Sequence, residues 1–194
     1  MLRKAPHLLP LLALIFVGAC ASNVTSTKGP PPGGPADIAA LTQAIRALGP
    51  EVDPDEAARA ARITYEYTHQ LAQEYQITDP PLVHNTKVNM GLKPRGLCKD
   101  WADDIEARLR LEGFQTLHLH RAIANADNIR IEHSTVIVSR RGDGMYDGIV
   151  LDPWRNGGVL YWGTVPGDPK YEWIPRQQVF EMKRAREARR AGKA

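Results

Sequence analysis

The order of hydrophobic periods predicts an α+β domain: helices first, then the strands of an antiparallel sheet. Two observations carry that prediction. Up to Gly113, apolar residues recur every three or four positions, the helical repeat. Beyond Gly113 the chain turns to short β-rich runs separated by Gly and Asp turns. A third observation, a Pro/Gly-rich stretch at 21–35, sets this domain apart from an apolar N-terminus.

The first helix is expected over Ala36–Leu48, with Ile38, Leu41, Ile45 and Leu48 on one face and Gly49-Pro50 as its stop. A second begins near Asp53, with Pro54 suited to its first turn, and reaches Tyr75. Its stripe is Ile63, Tyr67 and Leu71. Residues 76–95, with Pro80, Pro81 and Pro94, read as loop. A third helix is expected over Leu97–Glu112, where Leu97, Trp101, Ile105 and Leu109 recur every four residues. Strands are expected at Phe114–Ala122, Ile129–Ser139, Ile149–Asp152, Val159–Trp162 and Tyr171–Ile174, with a last helix over Arg176–Arg190. In the second strand, Ile131, His133, Thr135 and Ile137 should face one way and Glu132, Ser134, Val136 and Val138 the other.

The first residues read as an export signal. Arg3 and Lys4 precede a short apolar run from Leu8 to Val17, well below the ~20 residues of a membrane-spanning helix. Val17-Gly18-Ala19-Cys20 resembles the lipobox of bacterial lipoproteins, with Val17 at a position usually occupied by Leu. The resemblance implies cleavage after Ala19 and a lipid on Cys20. Ala21 is not the Asp linked to inner-membrane retention, so the expected location is the cell envelope, anchored in the outer membrane and facing the periplasm. A plain secretory signal with an incidental cysteine is the alternative. The divisions are then 1–19 as signal, 20–35 as lipidated Cys and linker, and 36–194 as one domain.

Roughly 175 residues remain after processing, enough for one sizeable core. The formal charge of +3 is mild, and nucleic acid is not an expected partner. The chain has two cysteines. With Cys20 committed to lipid, Cys98 is an unpaired thiol in an oxidising compartment, where a thiol is buried or used.

Cys98 falls in Arg95-Gly96-Leu97-Cys98-Lys99-Asp100-Trp101-Ala102, in the first turn of the third helix. Helix N-termini and nearby cations lower a thiol pKa from about 8.5, so Arg95 and Lys99 are expected to favour the thiolate. Gly96 permits close approach of backbone to a substrate. The plainer alternative is a small buried hydrophobe, although Cys98 is one step off the apolar stripe. A thiolate needs a base, and the base an orienting group. His7 goes with the signal, His69 lies on the second helix and His84 in a loop. His118 and His120 alternate on a strand, either exposed or as a metal pair. His133 lies mid-strand among apolar residues, a position also open to a structural histidine.

A two-residue turn at Gly142-Asp143 would set His133 opposite Asp152. A turn at Asp143-Gly144 would set Thr135 opposite Asp152, with His133 diagonal on the same face. Either brings a carboxylate within reach of the imidazole. Starting a turn is the alternative role of Asp152 in Asp-Pro.

Gly96-Leu97-Cys98-Lys99-Asp100-Trp101-Ala102, Glu132-His133-Ser134-Thr135-Val136 and Leu151-Asp152 together resemble the transglutaminase-like superfamily, most of all the bacterial transglutaminase-like cysteine proteinases. The resemblance spans about residues 55–165. It implies a papain-like fold, with the Cys-bearing helix packed on an antiparallel sheet bearing His and Asp. It also implies a catalytic triad of Cys98, His133 and Asp152 acting on peptide or protein amide bonds through an acyl-enzyme. Water or an amine would release the acyl group. The Cys98 N–H would hold the oxyanion with a second donor, for which Asn85 and Asn89 are candidates. Some relatives bind calcium through acidic residues flanking the cysteine. Here the neighbours are Leu97 and Lys99, and calcium dependence is not expected; no other cofactor is implied. Two alternatives remain: a cell-wall peptide hydrolase or transpeptidase of another papain-like branch, and a tethered binding module without turnover.

Asp100, Asp103, Asp104 and Glu106 read as a solvated helix face rather than a cation site. The basic tail from Lys183 to Lys193 reads as a solvated helix end, with anionic lipid or cell-wall polymer as the alternative. Trp154, Tyr161, Trp162 and Trp173 fit a substrate cleft and core packing equally well. No phosphate loop, dinucleotide fingerprint or zinc spacing is present.

Overall fold

The computed structural model describes residues 29–128 and 130–192. The segment expected to be a signal, and Cys20, lie outside them. Among the described residues the chain is mixed α+β, with its helices flanking one antiparallel five-stranded sheet.

Helix α1 is Pro35–Arg46 and α2 is Pro54–Glu74. The Asp53 carboxylate caps α2, accepting from the N–H groups of Asp55 and Glu56 at 2.8 and 2.9 Å. Leu41 and Ile45 bury α1 against the wide small-residue face of α2, made of Ala57, Ala60, Ala61 and Thr64. The segment 76–95 is not all loop: α3 covers Pro81–Asn89. Its periodicity is weak because it buries one side chain, His84, and its start is set by Pro80-Pro81. His84 is therefore a helix residue.

Helix α4 is Cys98–Arg110, with Trp101, Ala102, Ile105 and Leu109 buried. Leu97, expected in that stripe, is the residue before the first turn instead. The Asp100 carboxylate reaches back to the N–H groups of Gly96 and Leu97 at 3.1 and 3.0 Å and anchors the helix start.

The sheet runs β4-β3-β2-β1-β5, with every neighbouring pair antiparallel. Its strands are β1 Leu117–Ala124, β2 His133–Arg140, β3 Ile149–Asp152, β4 Tyr161–Thr164 and β5 Ile174–Pro175. Central β2 is buried on both faces. Val136 and Val138 join the core under α2 and α4, while Ile137 joins a second cluster with Val150, Val165 and Trp173. The alternation read from the sequence holds, but the strand starts at His133, and Ile131 lies outside it, half exposed. The 171–174 strand is also shorter than expected; only Ile174 and Pro175 pair.

Val136 pairs with Leu151. That is the second of the two registers, with Asp152 diagonal to His133. No two-residue turn makes it. A wider connection holding a short 3₁₀ turn, Met145–Asp147, joins β2 to β3. The closing helix α5 is Arg176–Ala191 and buries Val179 along the β1–β5 edge. The stretch before α1 is not all free linker. Pro30 passes so closely over Gly158 that a Cβ there would sit 2.7 Å from it, and Gly33 lies on the Tyr65 ring.

Candidate active site

Cys98 is the first residue of α4, and His133 the first of β2. Asp152 is the last residue of β3. All three therefore sit at element ends, and the antiparallel pairing puts the start of β2 and the end of β3 at the same end of the sheet. His133 and Asp152 are each about 1 % exposed, and the imidazole Nε2 lies 2.6 Å from the Asp152 Oδ2. The diagonal register supplies that contact, as expected. Trp154, Tyr171 and Trp173 pack around the imidazole with ring centroids 4.5, 4.7 and 5.3 Å away. The imidazole Nδ1 is buried and has no hydrogen-bond partner.

The Cys98 sulfur is half-buried and donates to the carbonyl oxygen of Glu132, 3.6 Å away and one residue before His133. Its pKa departs from the sequence expectation: it is raised, not lowered. Burial pushes it up most. The backbone N–H groups of Ser134 and Lys99 pull it down, and the negative charges of Asp152 and Glu132 push it up again. Arg95 does not serve the sulfur, because its guanidinium is bonded to both oxygens of Asp104 at 2.9 Å. The free thiol is thus neutral at rest, held by a carbonyl.

Gly96 has a reason other than substrate approach. Its φ is +120°, and a Cβ would lie 2.5 Å from the His84 Nε2. That nitrogen is 2.8 Å from the Arg95 carbonyl oxygen, so α3 props the loop that delivers Cys98.

Asp152 is held from all sides. Its Oδ1 accepts from the N–H groups of Trp154 and Arg155 at 3.1 and 3.2 Å, a turn fixed by Pro153. Its Oδ2 accepts from the Arg155 Nε at 2.6 Å as well as facing His133. The turn role and the orienting position therefore coexist in one carboxylate. Burial pushes the Asp152 pKa up, but the His133 hydrogen bond and the charges of His133 and Arg155 outweigh it and bring the net value down. Arg155 in turn grips Asp168 with both terminal nitrogens, at 3.0 and 2.6 Å. The Asp168 side chain is fully buried, and it also accepts from the Trp173 Nε1 at 2.8 Å.

Sequence reasoning missed Arg155 and Asp168. Both lie in Pro-flanked turns, and turn composition masks a buried ion pair. The spacing Asp152–Arg155 was the one available signal.

A groove of about 500 Å³ opens beside the pair, lined by Leu82, Asn85, Ile131, Glu132, Trp154 and Tyr171 among others. Asn85 lines the groove, and its Oδ1 accepts from the Trp154 Nε1 at 3.0 Å. Asn89 lies exposed at the end of α3 and is not brought to the groove. Of the aromatic cluster, Trp154 lines this groove, Trp173 packs under His133, and Trp162 donates to the Tyr65 hydroxyl at 3.0 Å.

The acidic face of α4 is not merely solvated. Asp100 caps, Asp104 pairs with Arg95, and Asp103 and Glu106 hold Arg121. Among the described residues no group of three or more His, Cys, Asp or Glu is arranged to hold a metal ion. His118 and His120 have ring centroids 4.6 Å apart, with the His120 Nε2 2.8 Å from the Ser139 Oγ. The tail of α5 is tied down in part: Lys183 pairs with Glu132 and Arg186 with Asp127. No described helix is long and apolar enough to cross a membrane.

No protein-family model, curated protein or solved structure matches the chain.

Proposed function

We propose that the protein is a thiol enzyme that cleaves or transfers peptide or protein amide bonds through Cys98, His133 and Asp152, in a papain-like arrangement. The observation that carries this reading is the pose of His133. One ring nitrogen is tied to a buried carboxylate, the other is buried and unpartnered, and the Cys98 sulfur bonds the backbone carbonyl one residue before this histidine. The His84 Nδ1 is buried and unpartnered too, so what sets His133 apart is the combination of a buried carboxylate on its other nitrogen and a free thiol bonded to the neighbouring residue's backbone. A nucleophile, base and orienter stand at three adjoining element ends, and the thiol–imidazole hydrogen bond that activates the nucleophile would form when the sulfur leaves the Glu132 carbonyl.

In the reaction, the imidazole takes the thiol proton and the sulfur forms a bond to the amide carbonyl carbon. The tetrahedral oxyanion is held by backbone N–H groups at the start of α4. The C–N bond then breaks, and the imidazolium gives its proton to the leaving amine. Water, or a second amine, attacks the thioester, loses a proton to His133 and frees the sulfur. Asp152 keeps the ring oriented and stabilises its cationic form. A raised thiol pKa suits this order: the thiol is ionised by the base when substrate displaces it from the Glu132 carbonyl. The anchor belongs to the same reading. Lipid on Cys20 would hold the enzyme at the outer membrane, facing periplasmic protein or peptide substrates.

The experiment is alkylation of Cys98 by iodoacetamide at neutral pH in wild type and His133→Gln, alongside turnover of a peptide library with and without hydroxylamine. A His-activated thiol labels at least about tenfold faster in wild type, and Cys98→Ala abolishes turnover. Equal labelling rates would sink the reading. Hydroxamate products indicate acyl transfer; free acids indicate hydrolysis.

A further inference from the structure

Four buried side chains form one line of alternating charge behind the thiol: His133, Asp152, Arg155 and Asp168. The contacts along it are 2.6 Å from His133 to Asp152, 2.6 Å from Asp152 to Arg155, and 3.0 and 2.6 Å from Arg155 to Asp168. The Arg155 side chain is 4 % exposed and that of Asp168 fully buried. The guanidinium lies over Tyr161 at 3.7 Å and Tyr171 at 4.8 Å from their centroids, so aromatic faces fix its plane.

We propose that Arg155 and Asp168 are positioning residues, in which Arg155 locks the Asp152 carboxylate toward His133 and Asp168 cancels the charge of Arg155, leaving Asp152 its pull on the imidazolium. A lone arginine on Asp152 would fix the carboxylate but neutralise it. Without the Arg155 side chain, Asp152 would keep its Oδ1 on the Trp154 and Arg155 N–H groups, but its Oδ2 would lose the donor that holds it beside the imidazole. The Arg155–Asp168 fork resolves the conflict. With imidazolium present the four groups sum to zero charge, and a buried set is least costly when neutral. Among the described residues, the titratable groups beside this line include Cys98 from α4, Tyr171 from the segment before β5, and Glu132, whose charge is met by Lys183 of α5.

The inference rests on His133 as the base, and its test is read without turnover. In the full chain, isotope-labelled histidine follows the His133 titration by NMR, assigned with His133→Gln. Asp168→Asn leaves the set at +1 with imidazolium, so the midpoint falls by about half a unit or more. Arg155→Gln leaves it at −1, so the midpoint rises by a similar amount. Arg155→Lys keeps the charge and stays near wild type. Opposite signs for the first two variants are what a purely structural role cannot give. Either charge-changing variant, folded, decides: a midpoint that stays put in Asp168→Asn or Arg155→Gln, or shifts the same way in both, overturns the proposal, as does the unfolding of both. Expected titration shifts in a protein without peptide turnover would leave this inference standing and remove the enzymatic one.

Discussion

Cys98 illustrates how a residue can stand at the right place with a resting chemistry opposite to expectation. The helix start does supply N–H groups to the sulfur, from Lys99 and, across the gap, from Ser134. Burial and two carboxylates nevertheless outweigh them. The cations read from the sequence are spent elsewhere: Arg95 faces Asp104 and Tyr75, and the Lys99 side chain is exposed. A testable consequence follows at Glu132, whose negative charge raises the thiol pKa from next door. Glu132→Gln removes that charge, so the thiolate fraction at pH 8 rises and iodoacetamide labels Cys98 faster. The gain should be only about two- to fivefold, because Lys183 already screens Glu132. Slower labelling in the variant would show that Glu132 does not act by its charge.

At the scale of elements, two clamps hold the site-bearing pieces in place. Glu56 on α2 accepts from the N–H groups of Gln115 and Thr116 at 2.6 and 2.8 Å and from the Thr116 hydroxyl at 2.6 Å. This fixes the turn that leads α4 into β1. Glu56→Ala strands these three half-buried donors, at a cost of about 2–4 kcal/mol, read as a lower denaturant midpoint with an unchanged m-value. His84 is the second clamp. Gly96→Ala would drive a Cβ into its ring from a left-handed backbone, so it should destabilise by about 1–3 kcal/mol and slow Cys98 labelling at constant pH. Wild-type stability in that variant would show that α3 does not prop the loop. These elements also mark what the sequence disclosed. Amphipathic α1, α2 and α4 announced themselves by period, and β3 by its apolar run, because each buries one continuous stripe. Helix α3 did not, since it docks through one histidine. The register of β2 on β3 was open between two values, because it depends on an irregular connection rather than a tight turn. His133 and Asp152 were legible as a pair since both registers left them neighbours. Arg155 and Asp168 were not, because only tertiary folding of two proline turns brings them together.

For the whole molecule, the same buried carboxylates that build the site set its tolerance of acid. Burial raises the pKa of Asp168, but Arg155, the Lys170 N–H and the Trp173 indole outweigh it and bring it from the ordinary 3.8 to about 2. Asp152 and Glu56 are lowered too, burial again being overcome, by His133 and Arg155 in one case and by the Gln115 and Thr116 donors in the other. A carboxyl with a depressed native pKa binds its proton more readily when unfolded. Its contribution to stability is therefore complete above the unfolded value near 4 and is lost as pH falls through the native one. The melting temperature should slip slightly as pH falls below about 6.5, where burial disfavours the charged form of His120, and then fall more steeply between about pH 4 and 2. Asp168→Asn removes a carboxyl whose native pKa is lowered to about 2. That variant should melt lower than wild type at pH 6, yet lose less on going from pH 4 to 2, so the two curves converge in acid. Parallel curves would mean that Asp168 titrates alike in the folded and unfolded chain, and that its bonds to Arg155 and Trp173 do not hold its charge in solution.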